Sequence, residues 1–357
     1  MICCQECFKD EQLRSIIHTM DKKGDCEVSG SKDTYIYDTD KNNELEESID
    51  ALLDIYYCKD GLPEGYPKKF LNYIYDELYS RWGLFNIKPE KIKEVIINIC
   101  KDRYKSEPNF FSDMVGIKEL NEKDFLEKNC ILKNYQWDDF VYSIKNVNRF
   151  HSDHLNKEVF KKVCFDISKD LIKNTVLYRG RISDKEGFTA KNMGAPPPTL
   201  TSAGRANSSG ISCLYLSDDI NTTIHEIRAR DLDYVSIGHF YLKRDIKVVD
   251  ISYMDKLSPF ATNEFEWFAI NIGHLREIAN QIAKPLRRQD SVLDYLPAQY
   301  ISDFVKHIGL DGIKYKSTLT EGNNYAIFNE KLFKCSNVEM YNINTLEYKV
   351  NLLGNPL

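Results

Sequence analysis

The sequence predicts an α+β protein in which an all-helical region precedes a mixed strand-and-helix region, with a small cysteine knuckle ahead of both. From Asn42 to about Lys173, apolar residues recur at helical spacing. From about Asn174 onward, short runs rich in β-branched and aromatic residues alternate with turn residues and two helical stretches, which is α+β organisation. At the amino terminus Cys4 and Cys7 form a C-x-x-C pair, and Cys26 follows in GDCEVSGS. These features divide the 357 residues into 1–38, 39–173 and 174–357.

Composition excludes several classes. Hydrophobic content of 42% and charged content of 29% describe a globular chain, and the net charge of −6 with scattered Lys and Arg argues against a nucleic-acid partner. No apolar run reaches the roughly 18 residues that a membrane span needs. The opening MICCQECFKDEQ lacks the basic and apolar regions of a secretory signal. Ten cysteines without a disulfide-scaffold spacing suit a reducing cytoplasm.

In the knuckle, a second C-x-x-C would place a cysteine at position 29, where Ser29 stands. The pattern is that of a zinc ribbon or treble clef lacking its fourth thiolate. Cys4, Cys7 and Cys26 are therefore candidate ligands of a structural zinc, with His18, Cys3 or a water completing the four. The helical region shows Leu45, Ile49, Leu52, Leu53 and Tyr56, then Phe70, Ile74, Leu78 and Trp82, then Ile92, Val95, Ile96 and Ile99 at helical spacing. Two further helices are predicted at about Asp138 to Arg149 and Asn156 to Asp170.

The carboxy-terminal half begins with a strand, Thr175 to Tyr178, that runs into Arg179 and Gly180. A loop with three consecutive prolines, Pro196 to Pro198, leads to the turn Gly204-Arg205-Ala206-Asn207. A second strand, Ile211 to Leu216, carries Tyr215 at its end, and Ser217 and Asp218 are suited to cap a short helix bearing Glu226. Further strands are predicted at Tyr234 to Lys243, Ile246 to Ile251, Gly312 to Ser317 and Tyr325 to Asn329, with paired strands from Cys335 to Leu352. Helices are predicted at Glu264 to Ala283 and at Leu296 to Lys306, the second ended by Gly309.

The sequence LYRG, then GRANSSGIS, then LYLSDDINTTIHEIR, and later GLDGIKYKSTLTEG, resembles the RES domain, the toxin half of a class of bacterial toxin–antitoxin pairs. The family is named for an Arg, a Glu and a Ser, which map to Arg179, Glu226 and Ser317. The likeness implies an ADP-ribosyltransferase-like fold of mixed β-sheet, NAD as substrate and a protein antitoxin as partner. It also implies an amino-terminal helical domain likened to the HEPN ribonuclease fold. The R-x4-H spacing of that fold occurs at Arg149 and His154, and is read here as coincidence.

With NAD as substrate, each residue acquires a role. Arginine suits pyrophosphate because its planar fork binds phosphate oxygens bidentately, which favours Arg179 and, secondarily, Arg205. Glu226 is the expected carrier of the reaction, because cleaving the nicotinamide–ribose bond builds positive charge on the sugar. The competing reading of Glu226 is a surface pair with Arg230 one turn on. Tyr215 is placed to stack on nicotinamide, Ser317 to hydrogen-bond the substrate, and Asn207 to contact substrate or hold the turn. The expected activity is NAD cleavage with water or phosphate as acceptor. The alternatives are ADP-ribose transfer to a protein, and nucleic-acid binding or ribonuclease action through the amino-terminal half.

Overall fold

The computed structural model describes residues 1–284 and 291–347. The chain forms two compact units. The first comprises Met1–Tyr142, Phe150–Phe160 and Asp255–Glu277, and the second Ser143–Arg149, Lys161–Met254 and Ile278–Leu357.

In the first unit, strands Ile2–Cys4, Lys23–Gly24 and Thr34–Asp38 make a small antiparallel sheet around the cysteines. Helices Glu44–Leu53 and Pro89–Ile99 present the predicted apolar faces, and Leu45, Ile49, Leu52, Leu53, Ile92, Val95 and Ile96 are buried in one core with the cysteines. Two elements depart from the helical expectation. Phe70, Ile74, Leu78 and Trp82 do not share one helix: Phe70 ends the 3-10 turn Lys68–Phe70, the helix is only Ile74–Ser80, and Trp82 lies beyond it. Strands Tyr57–Cys58, Asn72–Tyr73 and Met114–Gly116 form a three-stranded sheet among the helices. Strands of two or three residues are too short to leave an alternating pattern in sequence.

The second unit is built on an eight-stranded mixed sheet. Its strands are β1 (Ser168–Leu171), β2 (Val176–Ser183), β3 (Leu214–Ser217), β4 (Tyr234–Leu242), β5 (Ile246–Asp250), β6 (Gly312–Lys316), β7 (Asn323–Ile327) and β8 (Phe333–Asn342). Helix α1 (Ile220–Glu226) follows β3, and α2 (Leu296–His307) precedes β6. The order across the sheet is β8–β4–β2–β3–β7–β6–β5–β1. All neighbours are antiparallel except β5 and β6, which makes the sheet mixed. The long helix Phe265–Ala283, whose residues up to Glu277 belong to the first unit, matches the predicted Glu264 to Ala283 to within a residue. The segment predicted as helix to Asp170 instead stops at Asp166 and enters β1. As far as Glu347 the tail forms one strand, β8, rather than a pair, and residues 348–352 of that expectation lie outside the described residues.

Among the described residues, β2 and β3 pair at one position, Tyr178 opposite Ser217. Beyond that pair the two strands part, and a cleft forms between them.

Candidate active site

The cleft has a volume of about 280 Å³ and is lined from both strands. Tyr178, Arg179 and Gly180 come from β2, and Tyr215, Leu216 and Ser217 from β3. Arg205, Thr223, Glu226, Tyr295, Tyr315 and Asn324 complete most of the wall.

Helix α1 delivers the carboxylate. Its amino-terminal cap is Asp219, whose side chain accepts from the Thr222 amide at 2.7 Å, so the cap lies beyond the predicted Ser217 and Asp218. The helix packs directly on β2 at Gly180. A Cβ there would meet Thr223 Cγ2 at 2.9 Å and Ile227 Cδ1 at 3.1 Å, so the glycine permits the close approach. Glu226 closes the helix, and the chain turns at Arg228, which has φ of 54°. Position 230 is therefore not one helical turn beyond Glu226, and the Glu226–Arg230 pair does not form. Arg230 instead donates its amide to Asp233.

Glu226 is half-buried and asymmetrically held. Its Oε1 accepts from Ser317 Oγ at 2.7 Å and from Asn324 Nδ2 at 2.7 Å. Asn324 Oδ1 in turn accepts from Ser217 Oγ at 2.7 Å, which fixes the amide with its nitrogen toward the carboxylate. Oε2 has no partner among the described residues. Ser317 and Asn324 are each only 4% exposed, so these donors are fixed and shielded from water. Nothing in the sequence singles out Asn324: a lone asparagine in a strand has no spacing signal. Its position follows from the register that sets Asn324 of β7 opposite Ser217 of β3.

The opposite charge comes from two arginines. Arg179 lies inside β2 rather than at its end, because β2 continues through Gly180 to Ser183. Its Nη1 is buried with no hydrogen-bond partner among the described residues, and the same holds for Arg205 Nε. Burial lowers the Arg179 pKa to about 10, with Arg181 adding to the effect, so the group stays cationic at neutral pH. The Arg205 guanidinium stacks over the Tyr315 ring at 5.1 Å. Buried guanidinium nitrogens without partners are costly, and here both border an open cleft. An anion bound there would satisfy them.

Tyr215 is on the cleft wall, but its hydroxyl is engaged. It donates to Asn207 Oδ1 at 2.7 Å and accepts from the Ala206 amide at 2.9 Å, and burial holds its pKa well above the usual value. Its ring remains available to a ligand. Asn207 does not line the cleft. Its Nδ2 donates to the carbonyls of Ser202 and Ser208, and the turn is also tied down by Gln299 Nε2, which donates to the Gly204 and Asn207 carbonyls.

In comparison with known protein families, residues 177–351 match the RES domain. The match spans just under half of the chain and takes in the cleft-lining residues of β2, β3 and α1. Arg179, Glu226 and Ser317 all fall within it, and Glu226 and Ser317 are in direct contact. No curated protein sequence matches the chain. Among solved structures, the M. tuberculosis MbcT–MbcA toxin–antitoxin complex is similar at 9% identity, over 51% of this chain and 91% of that one, with a TM-score of 0.30. No helix among the described residues is long and apolar enough to cross a membrane.

In the first unit the cysteine knuckle is assembled. The sulfurs of Cys4, Cys7 and Cys26 lie within 4.8 Å of one another, all three residues buried. Cys4 and Cys7 are 3.8 Å apart, and Cys7 and Cys26 are 3.6 Å apart. Tetrahedral zinc with Zn–S near 2.3 Å sets neighbouring sulfurs about 3.8 Å apart, so these residues fit the ion. Burial raises the Cys7 pKa. Burial acts the same way on Cys26, but hydrogen bonds from the Ser29 hydroxyl and the Ser29 and Val28 amides outweigh it and lower its pKa to about 7. Neither Cys3 nor His18 joins the group. Cys3 alternates with Cys4 along strand Ile2–Cys4 and so faces the other way, and His18 packs its ring 4.2 Å from that of Tyr35.

Of the R-x4-H pair, Arg149 is exposed. His154 Nδ1 is 3.0 Å from Ser152 Oγ, and its ring lies 3.9 Å from that of Tyr135.

Proposed function

We propose that the protein is a RES-type toxin that degrades NAD by breaking the nicotinamide–ribose bond, with water or phosphate as acceptor. The observation that carries this reading is the pairing, in one cleft, of a carboxylate with one open oxygen and two arginines with unpartnered nitrogens. NAD presents the complementary charges: an anionic pyrophosphate and a cationic nicotinamide. The cleft volume of about 280 Å³ matches a ring and its sugar better than a whole dinucleotide, so the adenosine end extends outward.

On this reading Arg179 and Arg205 bind the pyrophosphate, and the Tyr215 ring faces the nicotinamide. Glu226 Oε2 faces the ribose carbon that loses nicotinamide. As the carbon–nitrogen bond lengthens, its electron pair leaves with the ring, nicotinamide departs neutral and positive charge grows on the sugar. No acid is needed for the leaving group. A carboxylate already held by Ser317 and Asn324 stabilises that charge without having to reorganise. Water then adds to the sugar carbon and releases a proton, giving ADP-ribose; phosphate gives the phosphorylated sugar instead. Ser317 acts as a donor that fixes Glu226, and among the described residues no histidine hydrogen-bonds it to make a nucleophile.

We further propose that Cys4, Cys7 and Cys26 hold a structural zinc, and that a protein antitoxin controls the cleft in the cytoplasm. The test of the activity is incubation of the purified chain with NAD, with and without phosphate, and separation of the products. Free nicotinamide with ADP-ribose or its phosphorylated form is the expected result. Radiolabel on protein would select ADP-ribosyl transfer, and intact NAD would sink the proposal.

A further inference from the structure

The hydroxyl of Ser29 lies against the cysteine cluster, and the local backbone shows why. Cys26 to Gly30 makes a tight turn of the kind that presents a metal ligand, with serine at position 29. The Ser29 amide donates to Cys26 Sγ at 3.3 Å, and the Gly30 amide donates to the Cys26 carbonyl at 3.1 Å. Gly30 has φ of 77°, the left-handed conformation that lets the chain turn back after the ligand position. This turn aims the side chain of residue 29 at the sulfurs: Ser29 Oγ lies 3.3 Å from Cys4 Sγ. A zinc ion with Zn–S near 2.3 Å and Zn–O near 2.0 Å would set that separation at about 3.5 Å. The hydroxyl is also oriented from behind. The Ser31 amide donates to Ser29 Oγ at 3.2 Å, and Ser31 Oγ lies 2.9 Å from it, leaving its remaining lone pair for the cluster.

We propose that Ser29 Oγ is the fourth ligand of a three-thiolate, one-oxygen metal site, resting on the reading that the three cysteines bind zinc. Ser29 is exposed whereas the cysteines are buried, so the oxygen corner is the side open to solvent. An oxygen at a soft-ligand site binds zinc less firmly than a thiolate. The metal therefore exchanges through that corner, and the fold around it responds to free zinc.

The test compares the full chain with its Ser29→Cys and Ser29→Ala variants under reducing conditions. Metal content, chelator competition and the sulfur-to-cobalt absorption of Co(II)-loaded protein are measured. All three proteins are expected to bind about one metal per chain. Ser29→Cys should raise the cobalt–thiolate band by about one third, from three thiolates to four, and slow zinc loss to chelator by about tenfold or more. Ser29→Ala should keep the three-thiolate band while losing zinc to chelator more readily than wild type. If metal binds but all three chains behave alike, Ser29 is not the ligand, although the cysteine site stands. If no chain holds metal, both readings fall.

Discussion

Glu77 in the first unit and Glu226 in the second both gather hydrogen-bond donors. They differ in what the donors leave over. Glu77 is 6% exposed. Its Oε2 accepts from Tyr56 Oη at 3.0 Å and Arg81 Nε at 2.5 Å, while its Oε1 accepts from Asn72 Nδ2 at 3.4 Å. Trp82 Nε1 bonds to Tyr56 Oη at 2.7 Å and closes the network. Both oxygens and the counter-charge are therefore satisfied within the fold. Glu226 has one oxygen held and one open, and Arg179 and Arg205 present buried nitrogens that nothing among the described residues meets. A satisfied cluster contributes to stability and rigidity. An unsatisfied one in a cleft is shaped for something the chain does not supply.

Substitutions should separate the two carboxylates most sharply. Glu226→Gln keeps the volume and most hydrogen bonds but removes the charge, so NAD turnover should fall by on the order of 10²-fold or more. Isothermal titration should find NAD affinity near wild type. Equal losses of binding and turnover would make Glu226 a substrate anchor and not the charge stabiliser. Glu77→Gln should do the opposite. It leaves the half-buried Arg81 beside a neutral group and should destabilise the fold by about 3 kcal/mol in denaturant unfolding. Turnover per folded molecule should be unchanged, and a large loss of turnover at full folding would erase the contrast.

Arg179→Lys is a milder change on the cleft side. It keeps a cation but loses the fork, so KM should rise about tenfold with a smaller fall in kcat. A pure kcat effect would mean that Arg179 acts on the transition state. A last prediction concerns His274, half-buried in the first unit. Burial lowers its pKa to about 4 from 6.5. The unfolded chain therefore takes up its proton first as pH falls. The stability that neutral His274 contributes is complete above about pH 6.5 and is lost progressively as the pH falls toward 4. Melting temperature followed across that window should show the decline, and His274→Gln should flatten it. An unchanged slope in the variant would assign the decline to other groups.

The same contrast marks what the sequence reveals. Helices with a clean apolar stripe are legible to within a residue or two, as with Leu296–His307 against the predicted Leu296 to Lys306. Arg179, Glu226 and Ser317 are legible because local motifs surround them. Asn324 is not, since its contact with Glu226 depends on pairing between strands about a hundred residues apart. Nor is the Glu77 network: Tyr56 and Trp82 read as members of apolar helical stripes, and Asn72 and Arg81 stand out by no pattern, until folding brings them together. Gly180 misleads by resembling a strand end, whereas it is the place where α1 lies against a continuing strand.

The single pairing of Tyr178 with Ser217 carries a mechanical consequence. Across that rung the sheet is three strands on one side and five on the other. Arg179 belongs to the smaller group, while Tyr215 and Asn324 belong to the larger. A ligand gripped from both sides supplies the crosslinks that the ladder lacks there. Loading the cleft therefore stiffens the sheet, and letting the ligand go means loosening the protein at its least stitched point.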